Sequence, residues 1–404
     1  MDERAAGSQP RVLVLSATVG SSHNKMADAL REEVLAIAPG AQVTTLRDFK
    51  PLGGRLGSYL DWSFRVHFGQ LGWTYDLTYL LFTRRRAAQR FGEESLYRIA
   101  GAQLARVIEE HGADVVVSTH PVFNPVLAGL RRDGRLPVAA ATVCCELGGL
   151  EFWLQRDLDL HMMIYPEAAE VARATLAGVR AESVRPLLGA AFFEPAQPER
   201  VAGALPPGDG PLVLISGGGW GLGDLHGATA AALRVMDARV VVVAGQNVEL
   251  ERSLRHRYAA DRRVQVLGFT DAMGDLLACA DVFVHTTVGI SCLEARLRER
   301  PTICFGLFVG HIRDNAAALA RHGYVELARS QPELTAAIAR RVHESSRPQL
   351  DWRSLRSAGE AALELAGRAA GAQPRPRAGR DGAEMPGGDG AEVSRGQAGE
   401  LAAH

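Results

Sequence analysis

The chain contains little lysine, almost no net charge and no long apolar run. Of its 404 residues only Lys25 and Lys50 are lysines, and 45 basic against 46 acidic residues leave a formal net charge of −1. This balance provides no basic field for a phosphate backbone, so we exclude nucleic acid as a partner. A membrane-spanning helix needs about 20 consecutive apolar residues, and no stretch approaches that length.

Cysteine is also scarce. The five cysteines form no CxxC spacing and their number is odd, which is typical of a reducing compartment. The first residues are acidic and lead into a short apolar run without a small-residue cleavage site, so they do not resemble a signal peptide. We therefore expect a cytoplasmic protein, peripheral on the inner face of the plasma membrane if it contacts a membrane at all.

Strand and helix signals alternate along the chain, which predicts α/β layers with parallel sheets. A proline-rich stretch at 193–210 separates two such series and is the best candidate for a linker. The predicted organisation is a flexible N-terminus (1–10), a first α/β domain (11–192), the linker, a second α/β domain with closing helices (211–369) and a disordered tail (370–404).

Short apolar runs bounded by turn residues give the positions of the expected strands. The predicted strands are Val12–Ser16, Val43–Leu46, Val115–Ser118, Val138–Val143, Leu160–Ile164, Leu212–Ser216, Val240–Ala244, Val264–Leu267, Val282–His285 and Thr302–Phe305.

One segment, Tyr59–Phe82, departs from this rhythm. It holds eight of the chain's 25 aromatic residues and is followed by three consecutive arginines, Arg84–Arg86. Aromatic residues mixed with cations suit a membrane interface or an apolar acceptor groove. The alternative is a set of helices packed on the first sheet, and the sequence leaves both open.

Glycines crowd the segment Ser216–Asp224, which lies between a strand and a helix. The backbone N–H groups of Gly217, Gly218 and Gly219 could bind a phosphate there. The spacing is not GxGxxG, and no lysine is present for a P-loop. The alternative is that the glycines only allow the strand and helix to approach closely.

Two histidines follow predicted strands at the sheet edge where open α/β folds bind ligands. His23 lies just after the first strand, and a neutral imidazole there could take a proton from a hydroxyl. His120 follows Val115–Ser118 and is a second polar candidate, although a lone loop histidine is more often structural. Asp157 and Asp159 run directly into a strand without a third ligand, so we predict no metal site.

The segment from Ser291 to Glu294 opens a predicted helix and has two interpretations. Ser291 and Glu294 could form a capping box that satisfies the helix N-terminus. Alternatively, Glu294 could accept hydrogen bonds from a ribose while Gly289 and the helix N-terminus meet a diphosphate.

Taken in order, five segments resemble the family of monogalactosyldiacylglycerol synthases and processive diacylglycerol glucosyltransferases, and more distantly the N-acetylglucosaminyltransferase of peptidoglycan lipid synthesis. The similarity covers about residues 11–345. The segments are VGSSH (Val19–His23), similar to a GGGH loop, ATVCCELGGLEFWLQRDLDL (Ala141–Leu160), GFTDAM (Gly268–Met273), VHTTVGISCLEA (Val284–Ala295) and GHIRDNAAAL (Gly310–Leu319).

The chain departs from the family pattern at several positions. Ser21 and Ser22 replace glycines, Glu146 stands where Asp is usual, and His311 replaces Gln. In the phosphate loop a lysine and a glycine are common where this chain has Thr286 and Val288.

The resemblance implies a GT-B-like fold, in which two facing doubly wound parallel-sheet domains are joined by the proline-rich hinge. It also implies a role for each matching residue, with a UDP-sugar as the donor substrate and no further cofactor or metal. The implied catalytic residues are His23 as base and Glu146 nearby; the donor-binding residues are Gly217, Gly218, Gly219, Phe269, Thr270, Met273, Gly289, Ser291, Glu294, His311 and Asn315; the acceptor or membrane residues are Trp62, Phe68, Trp73, Tyr79, His120 and Trp153.

The leading hypothesis is an inverting glycosyltransferase that moves a hexose from a UDP-sugar to a lipid hydroxyl such as that of diacylglycerol. The alternatives are an enzyme similar to UDP-N-acetylglucosamine 2-epimerase and a non-catalytic sugar-nucleotide-binding protein. A soluble acceptor is also open, as are the sugar and the oligomeric state.

Overall fold

The computed structural model describes residues 9–19, 22–69, 79, 85–306, 308–344 and 351–371. These residues form one compact unit. The expectations of a flexible N-terminus and a disordered tail fall on 1–8 and 372–404, which lie outside the described residues. No helix in the described part of the chain is both long and apolar enough to cross a bilayer.

The first half forms a six-stranded parallel sheet in the order β2-β1-β3-β4-β5-β6. Of its four inner strands, β3 and β5 are buried along their whole length and β1 and β4 along all but the first residue, which explains why they are mainly apolar runs. The strands are β1 (Arg11–Leu15), β2 (Gln42–Leu46), β3 (Val115–Ser118), β4 (Ala139–Cys144), β5 (Leu160–Met163) and β6 (Ala181–Ser183).

The second half forms another six-stranded parallel sheet, in the order β12-β11-β10-β7-β8-β9. Its strands are β7 (Leu212–Ser216), β8 (Arg239–Val243), β9 (Val264–Leu267), β10 (Val282–His285), β11 (Thr302–Phe305) and β12 (Glu326–Ala328). Two facing parallel-sheet layers of this kind confirm the predicted GT-B-like α/β architecture.

Helices connect the strands and cover both sheets. In the first half the α-helices are α1 (Ser22–Ile37), α2 (Gly54–Gly69), α3 (Arg86–Glu110), α4 (Asn124–Arg132) and α5 (Pro166–Thr175). In the second half they are α6 (Leu225–Ala232), α7 (Val248–Arg257), α8 (Met273–Cys279), α9 (Ile290–Leu297), α10 (Gly310–Arg321), α11 (Gln331–Arg341) and α12 (Ala358–Gly371). Short 3₁₀ helices occur at Lys50–Leu52, Pro121–Phe123, Leu150–Phe152, Ala190–Phe192, Pro198–Arg200, Ala202–Ala204 and Trp352–Ser354.

The last helix corrects the predicted grouping of the chain. Residues up to 369 were assigned to the second domain, but α12 packs against α1 and against strands of the first sheet. The backbone N–H of Gly359 donates to Glu33 of α1 at 3.0 Å, and a Cβ on Gly359 would lie 2.8 Å from the Cβ of Glu33. The helix also continues through Ala370 and Gly371, where the tail was expected to begin. The C-terminal helix α12 therefore belongs with the first half of the chain, where it packs against α1.

The predicted linker is attached to the second half. The backbone N–H of Gln197 donates to Asp275 at 2.8 Å, and Arg200 donates to the other oxygen of the same carboxylate at 3.1 Å. Val201 is buried beside Met273 in a core cluster of the second half. The proline-rich stretch is thus held against α8 by a buried carboxylate.

One apolar core reaches across both halves. It joins Val12 and Met26 of the first half to Leu293 and Leu319 of the second. Burial of apolar surface between the halves is a non-directional force that favours their association. This interface holds the two sheet edges face to face.

Candidate active site

The topology brings four loops together. In the first sheet the strand order reverses between β1 and β3, and in the second between β7 and β10. Open α/β sheets bind ligands at the carboxyl ends of the strands beside such a reversal. The loops that follow these four strands all contribute to the lining of one cavity of about 470 Å³ between the halves. The cavity is therefore the candidate active site.

His23 lies at the start of α1, directly after the loop that follows β1. Its Nδ1 is 2.6 Å from the backbone carbonyl oxygen of Thr119. A carbonyl only accepts hydrogen bonds, so Nδ1 carries the hydrogen and Nε2 keeps a free lone pair. Burial lowers the pKa of His23 to about 4, and the bond to Thr119 partly opposes this. The imidazole is consequently neutral at physiological pH and can accept a proton through Nε2.

The ring of His120 packs edge-on against that of His23, with 4.5 Å between the ring centroids. Its Nδ1 accepts a hydrogen bond from the backbone N–H of Val122 at 3.3 Å. Burial lowers its pKa well below the usual value, and His23 and His311 lower it further. His120 is therefore a neutral, buried neighbour of His23 at the wall of the cavity.

Glu146 lines the same cavity, but its carboxyl contacts other partners. Trp153 Nε1 donates to Oε2 at 3.2 Å, and His311 Nε2 lies 3.5 Å from Oε1. Burial raises the pKa of Glu146 to about 8 and lowers that of His311 to about 4. Both groups are thus mostly uncharged at pH 7, and the pair is a neutral contact rather than an ion pair. The orienting partner of His23 is the Thr119 carbonyl, and Glu146, which the resemblance places nearby, lines the same cavity.

The wall of the cavity contributed by the first half of the chain is largely apolar. Its wall includes Phe64, Val122, Phe152 and Trp153. Tyr79 is buried beside Phe152, with 5.5 Å between the ring centroids. A wall of this kind favours an apolar or amphipathic ligand.

The glycine segment after β7 lies partly at the cavity and partly against neighbouring backbone. Gly217, Gly218 and Gly219 line the cavity, and a Cβ added to Gly218 would meet only His285 at 3.7 Å. Gly221 instead has a φ of +62°, and its Cβ would lie 2.2 Å from the carbonyl oxygen of Ala244. Gly218 thus has open space toward the cavity, whereas Gly221 and also Gly217, whose Cβ would lie 2.4 Å from the Leu222 carbonyl oxygen, permit close packing.

The capping-box interpretation of Ser291 and Glu294 is wrong. Helix α9 begins at Ile290 with Gly289 as its N-cap, and no side chain caps it. Ser291 is already inside the helix, so it does not cap the helix. The unpaired backbone N–H groups at the N-terminus of α9 therefore remain directed toward the cavity. Glu294 is only 1% exposed, and Lys25 Nζ of α1 lies 3.5 Å from its Oε1.

Direct hydrogen bonds join the two halves at the cavity rim. Asn315 Oδ1 accepts from the backbone N–H groups of Leu147 at 2.8 Å and Gly148 at 3.2 Å. The hydroxyl of Tyr79 donates to Asp314 at 2.7 Å. The structure therefore places the start of α10 against the loop that carries Glu146.

Two family profiles match successive parts of the chain. Residues 23–187 match monogalactosyldiacylglycerol (MGDG) synthase, and residues 221–344 match glycosyl transferases group 1. The first half of this chain is similar to the MGDG synthase family, and the chain as a whole has the GT-B fold.

Curated relatives of this GT-B protein carry the same family names. It is 30% identical over 122 residues to a processive diacylglycerol beta-glucosyltransferase of Staphylococcus saprophyticus, covering 30% of this chain and 31% of the relative. It is 26% identical to monogalactosyldiacylglycerol synthase 1 of Arabidopsis thaliana, covering 59% and 47%. The enzyme of Bacillus subtilis, also a processive diacylglycerol beta-glucosyltransferase, is 22% identical over 322 residues, covering 76% of this chain and 80% of the relative. The first two matches thus span about a third and about half of those relatives.

Solved structures share the fold of this GT-B protein. MurG of Acinetobacter baumannii superposes with a TM-score of 0.51 at 15% identity, covering 89% of this chain and all of MurG. UGT89C1 of Arabidopsis thaliana, solved in complex with UDP, gives a TM-score of 0.55 at 14% identity over 90% of this chain and all of UGT89C1. At this level of identity the likeness concerns the fold alone.

The structure of this GT-B protein gathers most of the predicted site residues around the cavity. The lining includes His23, Glu146, Tyr79, His120, Trp153, Gly217, Gly218, Gly219, Gly289, Ser291, His311 and Asn315. Glu294 lies one helical turn behind Ser291.

Other predicted residues lie away from it. Phe269 is half exposed, Thr270 accepts a hydrogen bond from the backbone N–H of Ala272, and Met273 packs in a core cluster of the second half. These three are not among the described lining residues. Trp62 is 59% exposed on α2. Trp73 and the side chain of Phe68 lie outside the described residues, so their acceptor or membrane role stays a prediction.

Several lining or neighbouring residues were not singled out from the sequence. Thr119 orients His23, Lys25 pairs with Glu294, and His285 ends β10 in the cavity wall. Of these residues, His285 could have been predicted to line the site, because it is a polar residue at the carboxyl end of a buried strand. No group of three potential metal ligands occurs in the described ranges.

Proposed function

We propose that this chain is an inverting glycosyltransferase that moves a hexose from a UDP-sugar to the hydroxyl of a lipid such as diacylglycerol. The observation that carries the proposal is the neutral imidazole of His23, whose tautomer is fixed by the Thr119 carbonyl at 2.6 Å and which faces the phosphate loop across one cavity. The names of the relatives supply the acceptor class.

In the proposed reaction, His23 acts as general base. Its Nε2 accepts the proton of the acceptor hydroxyl, the oxygen attacks the anomeric carbon of the sugar, and UDP leaves with the bonding electron pair. A single displacement inverts the configuration at that carbon. The negative charge of the bound diphosphate would raise the pKa of His23 from about 4, because a nearby anion favours the protonated imidazole. The base would therefore become stronger when the donor is bound.

The donor side supports a diphosphate. Gly217, Gly218 and Gly219 border the cavity with their backbone, and α9 begins there with Gly289 as its cap. Unpaired backbone N–H groups at a helix N-terminus bind anions. UGT89C1, which shares the fold, was solved with UDP.

The acceptor side supports an amphipathic ligand. The wall formed by Phe64, Phe152 and Trp153 would contact the apolar part of a lipid near its hydroxyl. Tyr59 and Trp62 are each 59% exposed on α2, the helix that also contributes Phe64 to this wall. Exposed aromatic side chains of this kind suit the interface of a bilayer.

The deciding experiment measures UDP release by purified protein from a panel of UDP-sugars, with and without mixed micelles containing diacylglycerol. We expect release from one sugar nucleotide that depends on the lipid, and a glycolipid of inverted anomeric configuration. The His23→Ala variant should lose at least about a hundredfold in rate, the usual contribution of general-base catalysis. The matched control is His111→Ala, because His111 caps α3 through the Val107 carbonyl and lies outside the cavity lining.

Three outcomes would contradict the proposal. Conversion of UDP-N-acetylglucosamine without an acceptor would favour the epimerase-like alternative. Tight binding of UDP without turnover would favour a non-catalytic protein. Equal rates for the wild type and His23→Ala would remove the assigned base.

A further inference from the structure

The described lining of the cavity lacks a fixed cation. It contains neither lysine nor arginine, although a nucleoside diphosphate carries at least two negative charges. The phosphate loop does not supply one, since it reads Thr286-Thr287-Val288-Gly289. The hydroxyl of Thr286 is also turned away from the cavity, because it donates to the Leu222 carbonyl at 2.5 Å. A positive charge for the diphosphate would have to come from elsewhere.

Lys25 lies at the right place to supply that charge. It belongs to the first turn of α1 and reaches across to α9, with Nζ 3.5 Å from Glu294 Oε1. The starts of the two helices are adjacent, since a Cβ on Gly289 would lie 3.7 Å from Ser22 Oγ. The side chain of Lys25 is 43% exposed, so the ammonium group remains accessible.

The charge of Lys25 reaches the cavity. It contributes to the lowered pKa of His285, a lining residue whose burial is the main cause of that shift. Lys25 is the smallest of the three causes, after burial and the hydrogen bond with Ser216, so its charge acts on a residue of the cavity wall but does not dominate there.

Glu294 has an open acceptor beside this lysine. It is 1% exposed, and its Oε2 is buried without a hydrogen-bond partner in the described structure. A buried carboxylate oxygen without a donor is energetically unfavourable. A hydroxyl group of a bound ligand would satisfy it while Oε1 stays with Lys25.

We propose that Lys25 is the cation that binds the diphosphate of the donor, replacing the lysine missing from the phosphate loop. It is held in place by Glu294 and reaches the diphosphate from the first half of the chain. The inference rests on the proposed function, because it requires a nucleoside diphosphate donor. It makes Lys25 a donor-binding residue contributed by the half that also carries the base.

The test compares UDP with uridine, which differ by the diphosphate alone, in isothermal titration calorimetry. For Lys25→Met we expect UDP affinity to fall by about 10- to 100-fold, the range for loss of a hydrogen bond to a charged group. Uridine affinity should change by less than about threefold, because uridine offers no charge to the lysine. Lys25→Arg should retain most of the UDP affinity.

The only other lysine provides a matched control. Lys50 is exposed and pairs with Asp48 on the surface, so Lys50→Met removes the same charge away from the cavity. UDP affinity should then stay within about twofold of the wild type, since exposed charges are screened by solvent and salt. Lys25→Gln serves as the second variant if Lys25→Met does not fold.

A double variant distinguishes two roles of Lys25: contact with the diphosphate, and neutralisation of the Glu294 carboxylate. In the Glu294→Gln background, Lys25→Met should still weaken UDP binding relative to uridine. Parallel losses for UDP and uridine, or no loss in that background, would overturn the inference while leaving the glycosyltransferase proposal intact. Absence of UDP binding by the wild type would overturn both.

Discussion

Replacing Glu146 with glutamine tests the electrostatics of the cavity through stability. Glutamine has the shape of the protonated acid and can keep the contacts to Trp153 and His311, but it cannot ionise. The difference between a pKa of about 8 in the folded chain and the usual 4.5 corresponds to about 5 kcal/mol, at about 1.4 kcal/mol for each pH unit.

The folded chain binds this proton more tightly than the unfolded chain. Between pH 4.5 and about 8 the unfolded chain has released the proton while the folded chain retains it, so the free energy of unfolding of the wild type falls as pH rises. Above that pH range both states have released the proton, and the wild type bears the full free-energy cost of a buried, ionised carboxylate. Glu146→Gln should therefore match the wild type near pH 4.5, exceed it by about 3 kcal/mol at pH 7, and exceed it by about 5 kcal/mol above pH 8.

Urea unfolding at several pH values, followed by tryptophan fluorescence and circular dichroism, measures this difference. Trp153 donates to the Glu146 carboxyl, so its fluorescence reports on the site itself. The control is Glu109→Gln, which removes an exposed carboxylate of α3 outside the cavity lining and should leave the pH dependence of the wild type unchanged. A difference between Glu146→Gln and wild type that does not vary with pH would refute the assignment of a buried, protonated carboxyl.

Two further substitutions test the packing around the cavity. Gly221→Ala should lower the free energy of unfolding by at least about 2 kcal/mol, because φ is +62° and the new Cβ would lie 2.2 Å from the Ala244 carbonyl oxygen. The control Gly178→Ala, at a φ of +80° with open space around it, should lower the free energy of unfolding by less. Equal urea midpoints for the two variants would contradict this. Asn315→Ala leaves the two N–H groups of 147–148 without their acceptor; we expect a loss of about 1–3 kcal/mol in the free energy of unfolding, and an unchanged urea midpoint would show that these bonds do not stabilise the contact between the halves.

Local patterns predicted most of the sheet. Strands such as Val115–Ser118 and Leu212–Ser216 are buried on both faces, so each is a short apolar run between turns, and their predicted bounds are confirmed. The edge strands Ala181–Ser183 and Glu326–Ala328 were missed. Each has three residues and includes a glutamate, so neither carries the apolar signal of an inner strand.

The site was predictable where it depends on strand ends. His23 and His120 follow strands that flank a reversal of strand order, and polar residues at that position often face a ligand. The pairing of Lys25 with Glu294 was not predictable in this way, because it depends on how the two halves pack. The same is true of α12, whose contact with α1 joins residues far apart in the chain.

Burial determines which groups of the cavity carry charge. It lowers the pKa values of His23, His120, His285 and His311 and raises that of Glu146, so these five groups are mostly neutral at pH 7. With these five groups uncharged, the attraction for a diphosphate in the proposed donor complex would come from Lys25 and from the N-termini of α1 and α9. Because a bound diphosphate would in turn raise the pKa of His23, the base would gain strength only in the donor complex. Proton removal from the acceptor would thereby be coupled to the presence of the donor.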